Sequence, residues 1–184
     1  MAKTFPDSAM VIRAISPNIT TLSVPFLRFN KAKFGGRATI VKLTTGNLAV
    51  FSPVGLTAEA KSAVESMGGR VSHQNKELVF NYKPERTMIQ ADLVFNLPAN
   101  EQFSKSGMDA TSGIWTKLAH HFLNIHGKGQ QRFHWYATPA NKPSFAESAK
   151  VVAGWGFDRI IPCHGDVIES EGNEVFKRIF AWHL

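Results

Sequence analysis

The chain has 184 residues, 43% of them hydrophobic and 19% charged, which is enough apolar material for a core without staples and excludes a disordered chain. Cys163 is the single cysteine, so an intrachain disulfide and a cysteine-built zinc cage are both excluded. Lys and Arg number 21 against 14 Asp and Glu, a net charge of +7, but these basic residues are scattered without finger spacing or an RNP-like motif, and no nucleic-acid partner is expected.

The opening stretch, MAKTFPDSAMVIRAIS, holds no apolar core of signal-peptide length, and no run of about eighteen apolar residues follows. A cytoplasmic protein without a membrane partner is the expectation. In chain order, the first third reads as sheet. Residues 19–29, ITTLSVPFLRF, are β-branched and aromatic, with Pro25 marking an edge or bulge. RATIVKL (37–43) and NLAVFS (47–52) flank Thr44-Thr45-Gly46, a hairpin signature. SPVGL then turns the chain into a helix over 58–67, with Thr57 as N-cap and Gly68-Gly69 as the stop.

ELVFNYK (77–83) and TMIQADLVFNL (87–97) look like a second strand pair around a Pro84 turn. Residues 98–113 are polar and bear glycine, the composition of a long functional loop. A helix is predicted over 114–125, where Ile114, Leu118, Phe122 and Ile125 form one apolar stripe. QRFHWYA fits a helix end or a short strand. Ser144 to Glu147 is a capping box that opens a helix to residue 153. DRIIP is a short buried strand, and an amphipathic helix over 173–182 closes the chain. AEAKSAVESMGGRV and AESAKVVAGWGFDRI share the order helix, glycine break, basic residue, strand, which suggests a duplicated α/β architecture.

Two residues stand out chemically. His164, in IIPCHGD, follows a β-branched run and lies between Pro162 and Gly165, a strand-end turn of the kind on which α/β proteins build sites. It either ligates a metal, with Asp166 or a distant carboxylate orienting it, or caps a strand end through backbone. Asp92 interrupts the apolar run IQADLVFNLP, where a carboxylate is costly unless paired or ligating; the alternative is an outward-facing Asp at a strand start. Cys163 reads as a small buried hydrophobe, because neighbouring strand residues point to opposite faces. His120 and His121 are adjacent on a helix and do not converge on one ion. His126, His134 and His183 have no partner at useful spacing.

NLAVFSPVGLTAEAKSAVESMGG, KPERTMIQADLVFNLPANEQF and FDRIIPCHGDVI together resemble a branch of the metallo-β-lactamase superfamily that carries no assigned activity. The resemblance runs from about residue 10 to the C-terminus. It implies a single metallo-β-lactamase-like domain over 1–184, an αββα sandwich with metal ligands on strand-end loops along one rim. By position, Asp92 resembles the bridging aspartate and His164 the last metal-binding histidine. Two departures follow. Ser52 and Pro53 stand at the first acidic position, and the His-x-His-x-Asp-His motif expected after Val71 is missing, as if the fold were incomplete there. His73, placed like His164 one residue past a strand, is the candidate replacement ligand.

The resemblance therefore implies a metallo-hydrolase-like protein acting on an ester, thioester, lactone or amide of a small molecule. A site of His73, Asp92 and His164 would hold zinc or iron weakly, or the metal would be lost. The alternatives are a degenerate member that binds a ligand or protein partner without catalysis, and a truncated variant that self-associates through exposed sheet edges.

Overall fold

The computed structural model describes residues 5–52, 54, 57–68, 71–75, 79–137 and 142–184, with 71–75 described by their backbone. Strands β1 (Val11–Ser16) and β2 (Ile19–Val24) form an antiparallel hairpin. Its turn is held by the Ser16 hydroxyl, which accepts from the amides of Asn18 and Ile19. A two-residue hairpin of β3 (Leu27–Arg28) and β4 (Ala32–Lys33) stands apart from the main sheets. Strands β5 (Gly36–Lys42) and β6 (Leu48–Phe51) pair around Gly46, whose φ of 82° suits glycine.

Helix α1 (Ala58–Ser66) begins as the sequence predicts, with the Thr57 side chain accepting from Ala60 N. It leads to β7 (Val71–Asn75), which lies parallel to β6 and completes a sheet of order β1-β2-β5-β6-β7. The second sheet, β10-β9-β8, is built from β8 (Phe80–Tyr82), β9 (Thr87–Gln90) and β10 (Arg159–Pro162). Between β9 and β10 come α2 (Asn100–Phe103), α3 (Ile114–Phe122), α4 (Gly129–Tyr136) and α5 (Lys142–Ala153), and α6 (Gly172–Ile179) follows.

Side-chain alternation explains the layering. On β2 and β5, Leu22, Ala38 and Ile40 pack with Ala60 and Ala63 of α1. The opposite faces of these strands give Ile19 and Val41, which meet Ile89 and Ile161 of the second sheet. The outer face of that sheet, Met88 and Ile160, packs on Val152 of α5 and on Val175, Phe176 and Ile179 of α6. The order is helix, sheet, sheet, helix. The repeated unit is also real: β6-α1-β7 and β9-α5-β10 each contain a parallel strand pair whose connection carries a helix on the outer face.

Several boundaries differ from those read in the sequence. β9 ends at Gln90, because the Gln90 side chain takes over the backbone groups of Leu93 and Val94 and bends the chain. Asp92 therefore follows a strand instead of interrupting one. His73 is the third residue of β7, paired with Ala49, and not one residue past a strand. Residues 129–136 are helical, settling QRFHWYA. Helix α5 starts at Lys142, so Ser144 lies inside the first turn, where Pro143 is also tolerated. The predicted helices 114–125 and 173–182 are observed as 114–122 and 172–179. β1 and the short α2 were not anticipated. Pro53, Gly55, Leu56, Gly69 and residues 76–78 lie outside the described residues. No helix among the described residues is long and apolar enough to cross a membrane.

Candidate metal corner

The site begins as a matter of register. β9 and β10 run parallel, and their last paired residues are Gln90 and Pro162. Asp92 and His164 each lie two positions further on, so parallel strands of equal reach deliver them to one point at the sheet rim. His164 Nε2 lies 3.1 Å from Asp92 Oδ1. The structure thus brings together the carboxylate and imidazole that the sequence singled out. For His73 the structure describes the backbone alone, on the edge strand β7 of the other sheet.

The imidazole is locked from every side. Nδ1 lies 2.6 Å from the carbonyl oxygen of Gly35, which can only accept, so Nδ1 carries the proton. The ring stacks on Phe95 at 5.9 Å and 3° and on Phe26 at 5.9 Å and 21°, with Phe34 edge-on at 5.7 Å. Gly35 has φ +66°, and a Cβ there would run into the Gln102 side chain, so only glycine brings this carbonyl so close.

The loop after β10 is held by buried polar side chains. Gln102 donates to Cys163 O at 2.8 Å and accepts from Gly165 N at 3.0 Å. Arg37, fully buried on β5, donates to Pro162 O at 2.9 Å and Gly165 O at 2.6 Å, and also to Ser23 and Glu101. Burial pushes its guanidinium below the ordinary value, against the pull of Glu101. Gly165, at φ +91°, packs so closely that a Cβ would overlap the Asn96 carbonyl. Asp166 does not orient His164. Its carboxylate accepts from Glu101 N and Asn100 Nδ2, each at 2.9 Å, and so caps α2 from across the fold.

Asp92 is about half exposed, and its hydrogen bond with His164 is the main cause holding its carboxyl below the usual range, assisted by the charge of Arg28. Burial pushes the Cys163 thiol up, in keeping with a small packed residue rather than a nucleophile. Among the described residues no group of three His, Cys, Asp or Glu forms a metal-sized cluster. The pair itself fits one edge of a coordination sphere. Donors each about 2.0–2.2 Å from one zinc ion lie about 3–3.5 Å from each other, the spacing found here. The glycine carbonyl on Nδ1 is the kind of outer contact that orients a metal-binding histidine.

Sequence reasoning missed the supports: Gly35, Gln90, Gln102, Arg37 and the aromatic walls. The signals present were the KFGGR glycine pair before a strand and polar residues inside apolar strands.

No protein-family model matches the chain, and no curated protein matches it. Solved structures do. A crystal structure of DIM-1 metallo-β-lactamase exposed to ceftazidime superposes with a TM-score of 0.55 at 9% identity, covering 96% of this chain and 98% of that one. VMB-1 at pH 5.5 gives 0.52 at 10% identity, covering 97% and 98%. The metal-soaked Flv1 flavodiiron core from Synechocystis sp. PCC6803 gives 0.53 at 8% identity, covering 97% of this chain and 62% of that one. The chain therefore has the metallo-β-lactamase fold. It has that fold without the His-x-His-x-Asp-His motif, which occurs nowhere in its sequence.

Proposed function

We propose that the protein is a reduced metallo-hydrolase in which His164, Asp92 and, as third donor, His73 hold one zinc or iron weakly. It would act in the cytoplasm on an ester, thioester, lactone or amide of a small molecule. One observation carries the reading. With Nδ1–H given to Gly35 O, His164 aims its Nε2 at the Asp92 carboxylate from 3.1 Å. Two electron-rich atoms at that distance call for a cation, and either a proton or a metal supplies it.

A bound zinc or iron would lower the pKa of its water and polarise a substrate carbonyl. The chain's own residues prepare for that role. Phe26, Phe34 and Phe95 hold the imidazole without rotational freedom and cover it, leaving Asp92 as the side open to solvent. Asp92 would also be the group to accept a proton from an incoming water.

A second reading is a ligand-binding module that catalyses nothing. It is supported by the same 3.1 Å distance, since a protonated Nε2 closes the pair as an ordinary ion pair. Zinc and iron analysis of the purified protein, with calorimetric titration of zinc, separates the two. The hydrolase reading expects one zinc or iron per chain, uptake abolished in Asp92→Ala and His164→Ala and weakened in His73→Ala, and ester hydrolysis that follows metal content. Absence of any uptake, or uptake unchanged in His164→Ala, would sink it.

A further inference from the structure

Beside the corner, the hairpin β3–β4 and helix α3 enclose a groove of about 520 Å³, within the range of small-molecule sites. Its walls come from the apolar stripe of α3. Trp115, Leu118 and Phe122 line the groove and are each about half exposed, and Ile114, on the same helix outside the lining, is 79% exposed. The residue that α3 buries is Thr116, whose hydroxyl accepts from Lys33 N. An amphipathic helix has thus turned its apolar face to a groove instead of the core.

The hairpin tip repeats the pattern. Phe29 is 86% exposed at φ 52°, a backbone conformation unusual for a bulky residue. Phe34 and Phe133 continue the wall towards the corner, and both approach the aromatic set around His164, since Phe133 meets Phe95 and Phe34 meets His164 itself.

Charge completes the assignment. The described lining contains two charged side chains, Arg28 and Lys31, and no carboxylate. Lys31 Nζ sits 5.6 Å from the Trp115 ring centroid, and the Arg28 guanidinium 5.7 Å from that of Phe34. Both cations are parked on aromatic faces at the groove, where neither meets an acid in a salt bridge among the described residues. We infer that the groove binds an amphipathic monoanion, an apolar body lying along α3 with one carboxylate held by Arg28 and Lys31. The inference goes beyond the hydrolase reading and does not depend on a metal.

The test is calorimetric titration of the 184-residue chain, kept in chelator, with laurate below its micelle concentration. Saturable binding of one laurate per chain is expected, with no comparable binding of dodecyltrimethylammonium. Leu118→Asp, which sets a like charge on a half-exposed wall, should weaken laurate by about tenfold or more. Arg28→Gln with Lys31→Gln should weaken it comparably, and serves if Leu118→Asp fails to fold. The inference is overturned by absence of laurate binding, by equal binding of the cationic amphiphile, or by variants that bind as the parent does. It is equally overturned if the protein takes up phosphatidylglycerol vesicles but not monomeric laurate, or if sedimentation shows a dimer that closes the groove to it. Because chelator is present throughout, failure here leaves the metal reading standing, and failure of metal uptake leaves this one.

Discussion

The two halves of the sandwich share a plan and differ in chemistry. In each, two parallel strands are joined by a connection that carries an outer helix, α1 between β6 and β7 and α5, after α2, α3 and α4, between β9 and β10. Past the last pair of the second unit stand Asp92 and His164. Past Phe51 of the first stands Ser52, which offers a hydroxyl and no carboxylate. The same topology therefore delivers donors on one side and none of matching strength at Ser52 on the other. Architecture provides the place of a site, and the residue types at strand ends decide whether chemistry occupies it.

The largest effect should come from the residue that ties the halves together. Arg37 belongs to the first sheet, yet it donates to Pro162 O at the end of β10 in the second and to Gly165 O in the loop that follows. Arg37→Leu strands those carbonyls and takes from Glu101 its buried cationic partner, and should lower unfolding stability by about 3–5 kcal/mol. Arg13→Ala, removing a partly exposed partner of the same Glu101, should cost about 1 kcal/mol or less. Urea denaturation compares them. Equal losses would mean that the halves are joined by surface charge and not by the buried guanidinium.

Acid should separate the halves next. Burial pushes the His134 imidazole down to about 4, where it packs on Phe180 beyond the second sheet, while α1 on the first carries no histidine. The folded pKa lies below the unfolded one of about 6.5, so the unfolded chain binds more protons between them. Stability is full above about pH 6.5, falls by up to about 3 kcal/mol towards pH 4, and changes no further from this group below that. Hydrogen exchange at pH 4 and 7 should show α6 loosening before α1, and His134→Leu should remove that step. An acid response unchanged in the variant assigns it to carboxylates instead.

The smallest effect belongs to the first half alone. Thr57→Ala removes the hydrogen bond to Ala60 N and should cost about 1 kcal/mol while leaving the result of the proposed zinc titration the same as for the parent chain. A change in metal binding would show that α1 reaches the corner.

The fold was legible where local signals agree with tertiary ones. Thr57, the Gly46 hairpin and the helix-then-strand repeat each read correctly from a few residues. The corner was legible in part: Asp92 and His164 are unusual residues at the ends of apolar runs, and parallel pairing brings them together. What sequence hides is long-range closure. Arg37 meets Pro162 across 125 positions and Gly35 meets His164 across 129, and no local pattern announces such pairs. The α3 stripe shows the converse. Its periodicity was plain, but periodicity does not say whether an apolar face meets the core or an open groove.

The equal offset of Asp92 and His164 from the Gln90 and Pro162 pair has a consequence for how such a corner changes over time. Its position is an address written in backbone register, independent of which side chain occupies it. Exchanging the residue at 92 or 164 alters the chemistry delivered to that address while leaving the sandwich intact. Inserting one residue after Gln90 or Pro162 preserves every side chain and sends it elsewhere. A lineage built on this plan can therefore trade, lose or regain function by substitution long before its architecture records the change, whereas a small change of length at either strand end would erase the address itself.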